Sequence, residues 1–290
     1  MTNHHDWKQY ALQAVVLAAV TALAFGMIVA AMPHRMPADP HTWVVRPLAI
    51  AHRGDDTAPE NSLRSIANAA RNGADYAEID VRLTADGTPV VFHDRRTGRL
   101  SLRGRDVPVS SLTVRQLQRM VMSQHGERYR VPTLAQVIDV AQRTSSDMDL
   151  LLDLKTNVRH ARRLTDAVAA QIERYGFADR VMMMSTNDEI VTMIRRRHPD
   201  WIVGKCVSPA GRTAVEWTRD ADFVVMRGDR VTREIVDHAH RDNLSVYAGV
   251  GGDARQANRC LGLGVDGVLS DSAGIALRAA ERHETRLARG

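Results

Sequence analysis

Short apolar, β-branched runs recur along the chain: LAIAH (48–52), AEIDV (77–81), PVVFH (89–93), LLLDL (150–154), VMMMS (181–185), IVGKCV (202–207), FVVM (223–226), SVYAG (245–249) and GVLSD (267–271). Between most of them lie segments with helical spacing of apolar positions, at 62–71, 133–142, 159–174, 188–197, 232–241 and 254–263. Strands apolar on both faces, alternating with helices, predict a parallel sheet covered by helices. Nine strand candidates are one too many for an eight-stranded barrel. The link 84–88 is too short for a helical crossover, so PVVFH is read as the return arm of a hairpin-like turn and absorbs the surplus. Residues 48–290 are close to the roughly 250 residues of a (β/α)8 barrel, and a TIM barrel is the expected fold. A doubly wound open sheet is the competing architecture, disfavoured because no Gly-rich phosphate loop follows the first strand.

One segment breaks this pattern. Residues 11–32 carry no charge, and only Gln13 and Thr21 are clearly polar. At about 1.5 Å per residue a helix of this length reaches roughly 33 Å, enough to cross a bilayer core. A secretory signal would have a shorter apolar stretch and a more basic leading end, so a retained single-pass transmembrane helix is expected, with cleavage as the second reading. Residues 1–10 form an N-terminal tail, and 33–47, with four prolines, read as a linker. The flanking charges are too few to orient the span.

Composition adds exclusions. The net charge of +5 comes almost wholly from arginine, because Lys8, Lys155 and Lys205 are the only lysines. Basic residues are not gathered with stacking aromatics, so nucleic-acid binding is not expected. Cys206 and Cys260 cannot make a disulfide framework, and no Cys/His cluster has zinc-finger spacing.

In a barrel the C-terminal strand ends build the active site. The first run ends in His52-Arg53-Gly54, and the second carries Glu78 and Asp80 on one face. The third ends in His93-Asp94, while the fourth carries Asp153, followed two residues later by Lys155. Singly, each has an ordinary reading: a hydrogen-bonded structural histidine, the wet face of an edge strand, a same-face ion pair. Together they place carboxylates inside apolar runs, where burial without a cation is costly. Hard oxygen ligands point to Mg²⁺ or Ca²⁺ rather than zinc. Two histidines beside such a site, with an arginine and a lysine, suit phosphodiester cleavage. The cations neutralise developing negative charge, one histidine takes a proton from the attacking hydroxyl, and the other protonates the leaving alkoxide.

The ordered stretches Ile50-Ala51-His52-Arg53-Gly54, Ala58-Pro59-Glu60-Asn61-Ser62, 73–81 and 84–94 closely resemble the glycerophosphodiester phosphodiesterases. Pro132-Thr133-Leu134, Ser185 and 264–271 extend the resemblance from about Leu48 to Ser272. It implies a TIM barrel that hydrolyses glycerophosphodiesters to sn-glycerol 3-phosphate and an alcohol. By position it implies His52 and His93 as the acid/base pair, and Arg53, with Lys155 beside it, as the phosphate holder. Glu78 and Asp80 would bind Ca²⁺ or Mg²⁺, and Glu60 would orient the ligands. The family's third metal carboxylate is normally Glu two before Lys; here it is Asp153, one methylene shorter, with Lys155 in place. The family's Trp-Thr-Val-Asn strand end stands as Tyr247-Ala248-Gly249-Val250, which bears on substrate preference. The arginine-rich segment after Asp94 (Arg95, Arg96, Arg99, Arg103, Arg105) is read as a solvated loop, with a flap or an anionic head-group contact as the alternative.

Two other functions are carried: a phospholipase-like lipid phosphodiesterase giving a cyclic phosphate, and a weakened barrel serving as a binding module. Intact His52, His93, Glu78 and Asp80 count against the module. Expected partners are a small glycerophosphodiester or lipid head group and, through 11–32, the membrane. The catalytic domain is expected outside the cytoplasm, where deacylated lipids are scavenged.

Overall fold

The computed structural model describes residues 46–144, 147–156, 160–207 and 220–288. The expected tail, the apolar run 11–32 and all of the linker but Arg46 and Pro47 lie outside the described residues. Within them, no helix is long and apolar enough to cross a membrane.

Eight parallel strands close on themselves: β1 (Leu48–Ala51), β2 (Tyr76–Leu83), β6 (Asp149–Leu154), β7 (Val181–Ser185), β8 (Ile202–Cys206), β9 (Phe223–Arg227), β10 (Ser245–Gly251) and β11 (Gly267–Ser270). Each pairs with the next, and β1 pairs with both β2 and β11, so the sheet has no parallel edge. The surplus run becomes β3 (Pro89–Val91), antiparallel to the end of β2 with Val81 opposite Val91, as the short link requires. Helices α1 (Leu63–Arg71), α3 (Leu134–Thr144), α4 (Ala161–Arg174), α5 (Asp188–Arg197), α6 (Arg233–Arg241), α7 (Ala254–Gly262) and α8 (Ala273–Ala288) cover the outside.

Strand periodicity sorts the side chains into two cores. Outward residues such as Ala49, Ile79, Leu152, Met183, Val224 and Val268 pack beneath the helices. Inward residues Ile50, Tyr76, Leu151, Met182, Phe223, Tyr247 and Leu269 fill the barrel. Phe223 lies across the lumen against Gly204, where a Cβ would stand 2.1 Å from its ring. A glycine is therefore required for the interior to close over this aromatic.

A third apolar cluster, built on Phe92, Val109, Leu117 and Met122, belongs to an insertion between β3 and α3. It carries α2 (Val114–Arg119) and the hairpin of β4 (Met122–Gln124) and β5 (Glu127–Tyr129), which no sequence pattern announced. This insertion rises beside the C-terminal strand ends and sends side chains back into the site.

The opposite, N-terminal end repeats one device. Asp75, Asp222 and Asp266 each stand one residue before a strand and accept the N–H of a residue in the neighbouring strand. The bonds come from Ala49 at 2.8 Å, Val203 at 2.9 Å and Val246 at 2.7 Å. Each also meets a cation: Arg46, Arg195 and His240 respectively. Buried backbone donors at strand starts are thereby satisfied, which is a stabilising use of charge.

Candidate active site

Continuing up the strands, the apolar interior gives way to charge. Glu78 and Asp80 follow Tyr76 on the inner face of β2, and Asp153 follows Leu151 on β6. Asp80 and Asp153 are register partners on adjacent strands. One carboxylate oxygen from each of Glu78, Asp80 and Asp153 falls within 4.8 Å of the others, and all three residues are buried. The shorter Asp153 therefore still reaches the cluster.

Counter-charge here is limited. Lys155 donates to Asp153, and its Nζ lies 3.0 Å from Asp80 Oδ1. Arg53 Nε stands 3.4 Å from Asp80 Oδ2 but is buried without a hydrogen-bond partner. Among the described residues, the Glu78 carboxylate accepts one hydrogen bond, from the Arg53 N–H at 2.9 Å. Burial, reinforced by the neighbouring Asp80 charge, pushes the Glu78 pKa up to about 8. Burial also raises Asp153, whereas in Asp80 it is outweighed by Lys155, His93 and Arg53, leaving that carboxyl below its ordinary value. Burial alone would depress Lys155, but Asp80 and Asp153 overcome it and hold the ammonium well above its usual value. An oxygen-only set with this surplus of negative charge fits a hard divalent cation.

The turn after β1 explains the His-Arg-Gly order. Arg53 has φ +58° and Gly54 φ +82°, two consecutive left-handed residues. A Cβ on Gly54 would come within 2.4 Å of Ser65 Oγ, so only glycine fits. This turn brings the Arg53 N–H to Glu78 and its guanidinium to Glu60, with Nη1 3.2 Å from Oε1.

Both histidines are held through Nδ1 by a carboxylate. His52 Nδ1 is 2.7 Å from Asp271 Oδ1, and His93 Nδ1 is 2.7 Å from Asp94 Oδ1. The Nε2 of His52 lies 4.0 Å from Glu78 Oε2. Burial lowers the His52 pKa, but the hydrogen bond to Asp271 and the charge of Glu78 outweigh it, so the net shift is upward. Arg82 donates to the His93 carbonyl at 2.8 Å and to the Lys155 carbonyl at 3.3 Å, joining the segments that follow β3 and β6.

All eight sequence-named residues meet at this rim, and Glu60 sits behind the others. It accepts from Arg53, Arg99 and Gln124, the last two supplied by the insertion. Burial would raise its pKa, but Arg99 and Arg53 outweigh it and depress the value. Four participants had no assigned role. Asn61, also left-handed at φ +58°, donates Nδ2 to Asp80 Oδ2 at 2.7 Å and accepts the Asp80 N–H at 3.1 Å. Asp271 and Asp94 orient the histidines, and Arg99 bridges Asp94 to Glu60. Asn61, Asp94 and Asp271 stood inside the quoted motifs, which was the available signal. The arginine-rich segment is thus more than a solvated loop, since Arg99 is built into the site and Arg96 pairs with Asp106 at 2.7 Å.

A cavity of about 570 Å³ opens on His52, the three carboxylates, Lys155 and Asp271. Its far wall includes Gly249 and Gly251 of β10. Tyr247 is not at this rim: it is buried in the lumen with its ring centroid 5.1 Å from that of Phe223.

Residues 52–275 match the Glycerophosphoryl diester phosphodiesterase family. A glycerophosphodiester phosphodiesterase of Bacillus altitudinis is 26% identical over 231 residues, covering 76% of this chain and 93% of that protein. One from Arabidopsis thaliana is 28% identical over 234 residues, covering 77% of this chain and 70% of its own length. Among solved structures, an Oleispira antarctica phosphodiesterase in complex with the product sn-glycerol-3-phosphate superposes with a TM-score of 0.72 at 24% identity. The match covers 81% of this chain and 97% of that one. A glycerophosphodiester phosphodiesterase from Parabacteroides distasonis gives a TM-score of 0.68 at 22% identity, covering 83% and 98%. The structural likenesses speak to the fold, whereas the family match spans most of the chain and every strand-end residue described above. The chain belongs to the glycerophosphoryl diester phosphodiesterase family and is, by that membership, a phosphoric diester hydrolase.

Proposed function

We propose that this protein hydrolyses glycerophosphodiesters to sn-glycerol 3-phosphate and an alcohol, using His52 and His93 as the acid/base pair and a Ca²⁺ or Mg²⁺ ion held by Glu78, Asp80 and Asp153. The observation that carries the reading is the pair of carboxylate-oriented histidines beside a buried, charge-surplus carboxylate cluster. When bound, the ion supplies charge neutralisation at the phosphoryl oxygens. Lys155, which lines the cavity, and Arg53 beside Asp80 add fixed positive charge on the same side.

Asp271 and Asp94 each engage Nδ1, which leaves Nε2 of each imidazole to exchange a proton. One histidine removes the proton of the attacking hydroxyl, and the other protonates the departing alkoxide, which leaves poorly as an anion. Glu60 and Asn61 keep Arg53 and Asp80 in place. Retention of every one of these groups speaks against a purely binding role.

The test is release of glycerol 3-phosphate from glycerophosphocholine by the purified chain. His52→Ala and His93→Ala should each lower kcat by about 10²–10⁴-fold with little change in KM. Wild-type rates in either variant would remove that histidine from the mechanism.

We further propose that 11–32 anchors the enzyme in a membrane with the catalytic domain extracytoplasmic. The uncharged length of that run supports this reading. Extraction of the chain from membranes by carbonate, or protection of the domain from added protease on intact cells, would overturn it.

A further inference from the structure

Beyond the catalytic cavity, a second cavity of about 760 Å³ is lined by Arg82, Arg95, Arg96, Lys155, His160 and Arg163, and its other described lining residues are uncharged. Lys155 lines both cavities, so this basic groove begins where the reacting phosphate is proposed to sit. The charge in the groove is only partly compensated. Arg96 is paired with Asp106, and Arg82 is spent on the carbonyls of His93 and Lys155. Among the described residues, the Arg95 and Arg163 side chains make no ion pair or hydrogen bond, and both are exposed.

The local backbone increases the imbalance. His160 caps α4 without a side-chain hydrogen bond, and the first turn of that helix contains no acidic residue. The positive end of the helix dipole is therefore met by Arg162 and Arg163, the reverse of the favourable arrangement. Guanidinium groups left without carboxylates in a concave site are suited to bind phosphate oxygens.

We infer that the groove binds a second phosphate carried by the substrate, so the preferred glycerophosphodiesters are those whose alcohol portion is itself phosphorylated. This inference rests on the hydrolytic reading above and names the substrate class within it. A diester has two arms leaving its phosphorus: one enters the 570 Å³ cavity and the other runs past Lys155 toward Arg95 and Arg163.

A matched pair tests this: glycerophosphoglycerol and the same compound bearing a terminal phosphate. Wild-type kcat/KM should favour the phosphorylated compound by about tenfold or more, the scale of a pair of charge-assisted contacts. The double variant Arg95→Ala/Arg163→Ala should bring the ratio close to one while leaving glycerophosphoglycerol turnover unchanged. Equal and measurable wild-type rates on the two compounds, or a preference that survives in the double variant, overturn the inference. Inorganic phosphate that alters glycerophosphoglycerol turnover in wild type but not in the double variant, without a substrate preference, would assign the groove to a free anion and also overturn it. Calorimetric binding of the phosphorylated compound provides a readout independent of turnover. Tight binding lost in the double variant supports the groove even if neither compound is hydrolysed, an outcome that would fail the hydrolytic reading alone. Binding unchanged by the substitutions fails the groove alone.

Discussion

Carboxylates stand at both ends of this barrel and are held in opposite ways. At the N-terminal end, Asp75, Asp222 and Asp266 each accept one backbone N–H and face one cation. At the C-terminal end, Glu78, Asp80 and Asp153 crowd within 4.8 Å and share Lys155 and Arg53. Burial alone does not distinguish a member of one set from a member of the other, since Asp75 and Asp153 are each 6% exposed. Partner count does. The first set completes the hydrogen bonding of strand starts and so serves stability. The second leaves negative charge that the folded chain does not neutralise, which is how a ligand site differs from a structural one.

The largest effect expected from breaking this contrast is on catalysis. Asp80→Asn should lower kcat/KM by about 10³-fold, the order of a lost electrostatic contribution at a phosphoryl group, without loss of fold. Glycerol 3-phosphate release alongside a thermal melt checks both halves.

A second test uses the raised pKa of Glu78. Burial and the Asp80 charge push it up to about 8, so in metal-free protein the folded state retains a proton that the unfolded chain loses. Folded protein then binds more protons than unfolded, and stability falls as pH rises from the ordinary carboxylate range toward 8. Glu78→Gln should flatten that slope and raise metal-free Tm at pH 8 by a few degrees, roughly the shift of 1 kcal/mol, while abolishing the response to added divalent ion. Denaturation across pH in the presence of chelator reads this directly.

Asp271→Asn comes next, with activity reduced about 10–100-fold as for other orienting partners. Burial depresses His52, and Asp271 is the main group opposing it, so the pH-profile limb belonging to His52 should move to lower pH. An unmoved profile would deny Asp271 its positioning role.

At the other end the sign reverses. Asp75→Ala should cost about 2 kcal/mol of stability, because it strands the Ala49 N–H and unpairs Arg46, with kcat unchanged. Smallest of all is His240→Ala. The hydrogen bond to Asp266 raises the His240 pKa, so its stabilisation is present below the ordinary histidine value and is lost as pH rises through the raised one. The pair is partly exposed, so after solvent screening the loss is under about 1 kcal/mol at pH 6 and nil at alkaline pH.

Much of this architecture was legible beforehand for physical reasons. Parallel strands buried on both faces must be apolar throughout, so VMMMS and DLLLDL stood out, and the short 84–88 link could only be a hairpin. The upper carboxylates were visible because they interrupt those runs. What escaped notice acts over distance. Asp271 reaches His52 across 219 residues, and Gln124 reaches Glu60 across 64, separations that no local periodicity encodes. The lower carboxylates escaped for another reason: an aspartate just before a strand resembles any turn residue until the neighbouring N–H is known. The insertion lacks regular alternation because its short elements fold around a cluster of their own.

The central claim is that the upper carboxylates form a divalent-cation site serving phosphodiester hydrolysis. Its most direct test is titration of Ca²⁺ or Mg²⁺ into chelator-treated protein while Tm and glycerol 3-phosphate release from glycerophosphocholine are followed together. In wild type, release should saturate and Tm should begin to climb over the same range of ion concentration, and neither should rise in Asp80→Asn. Full release in the presence of chelator, with Tm indifferent to either ion, would contradict the account.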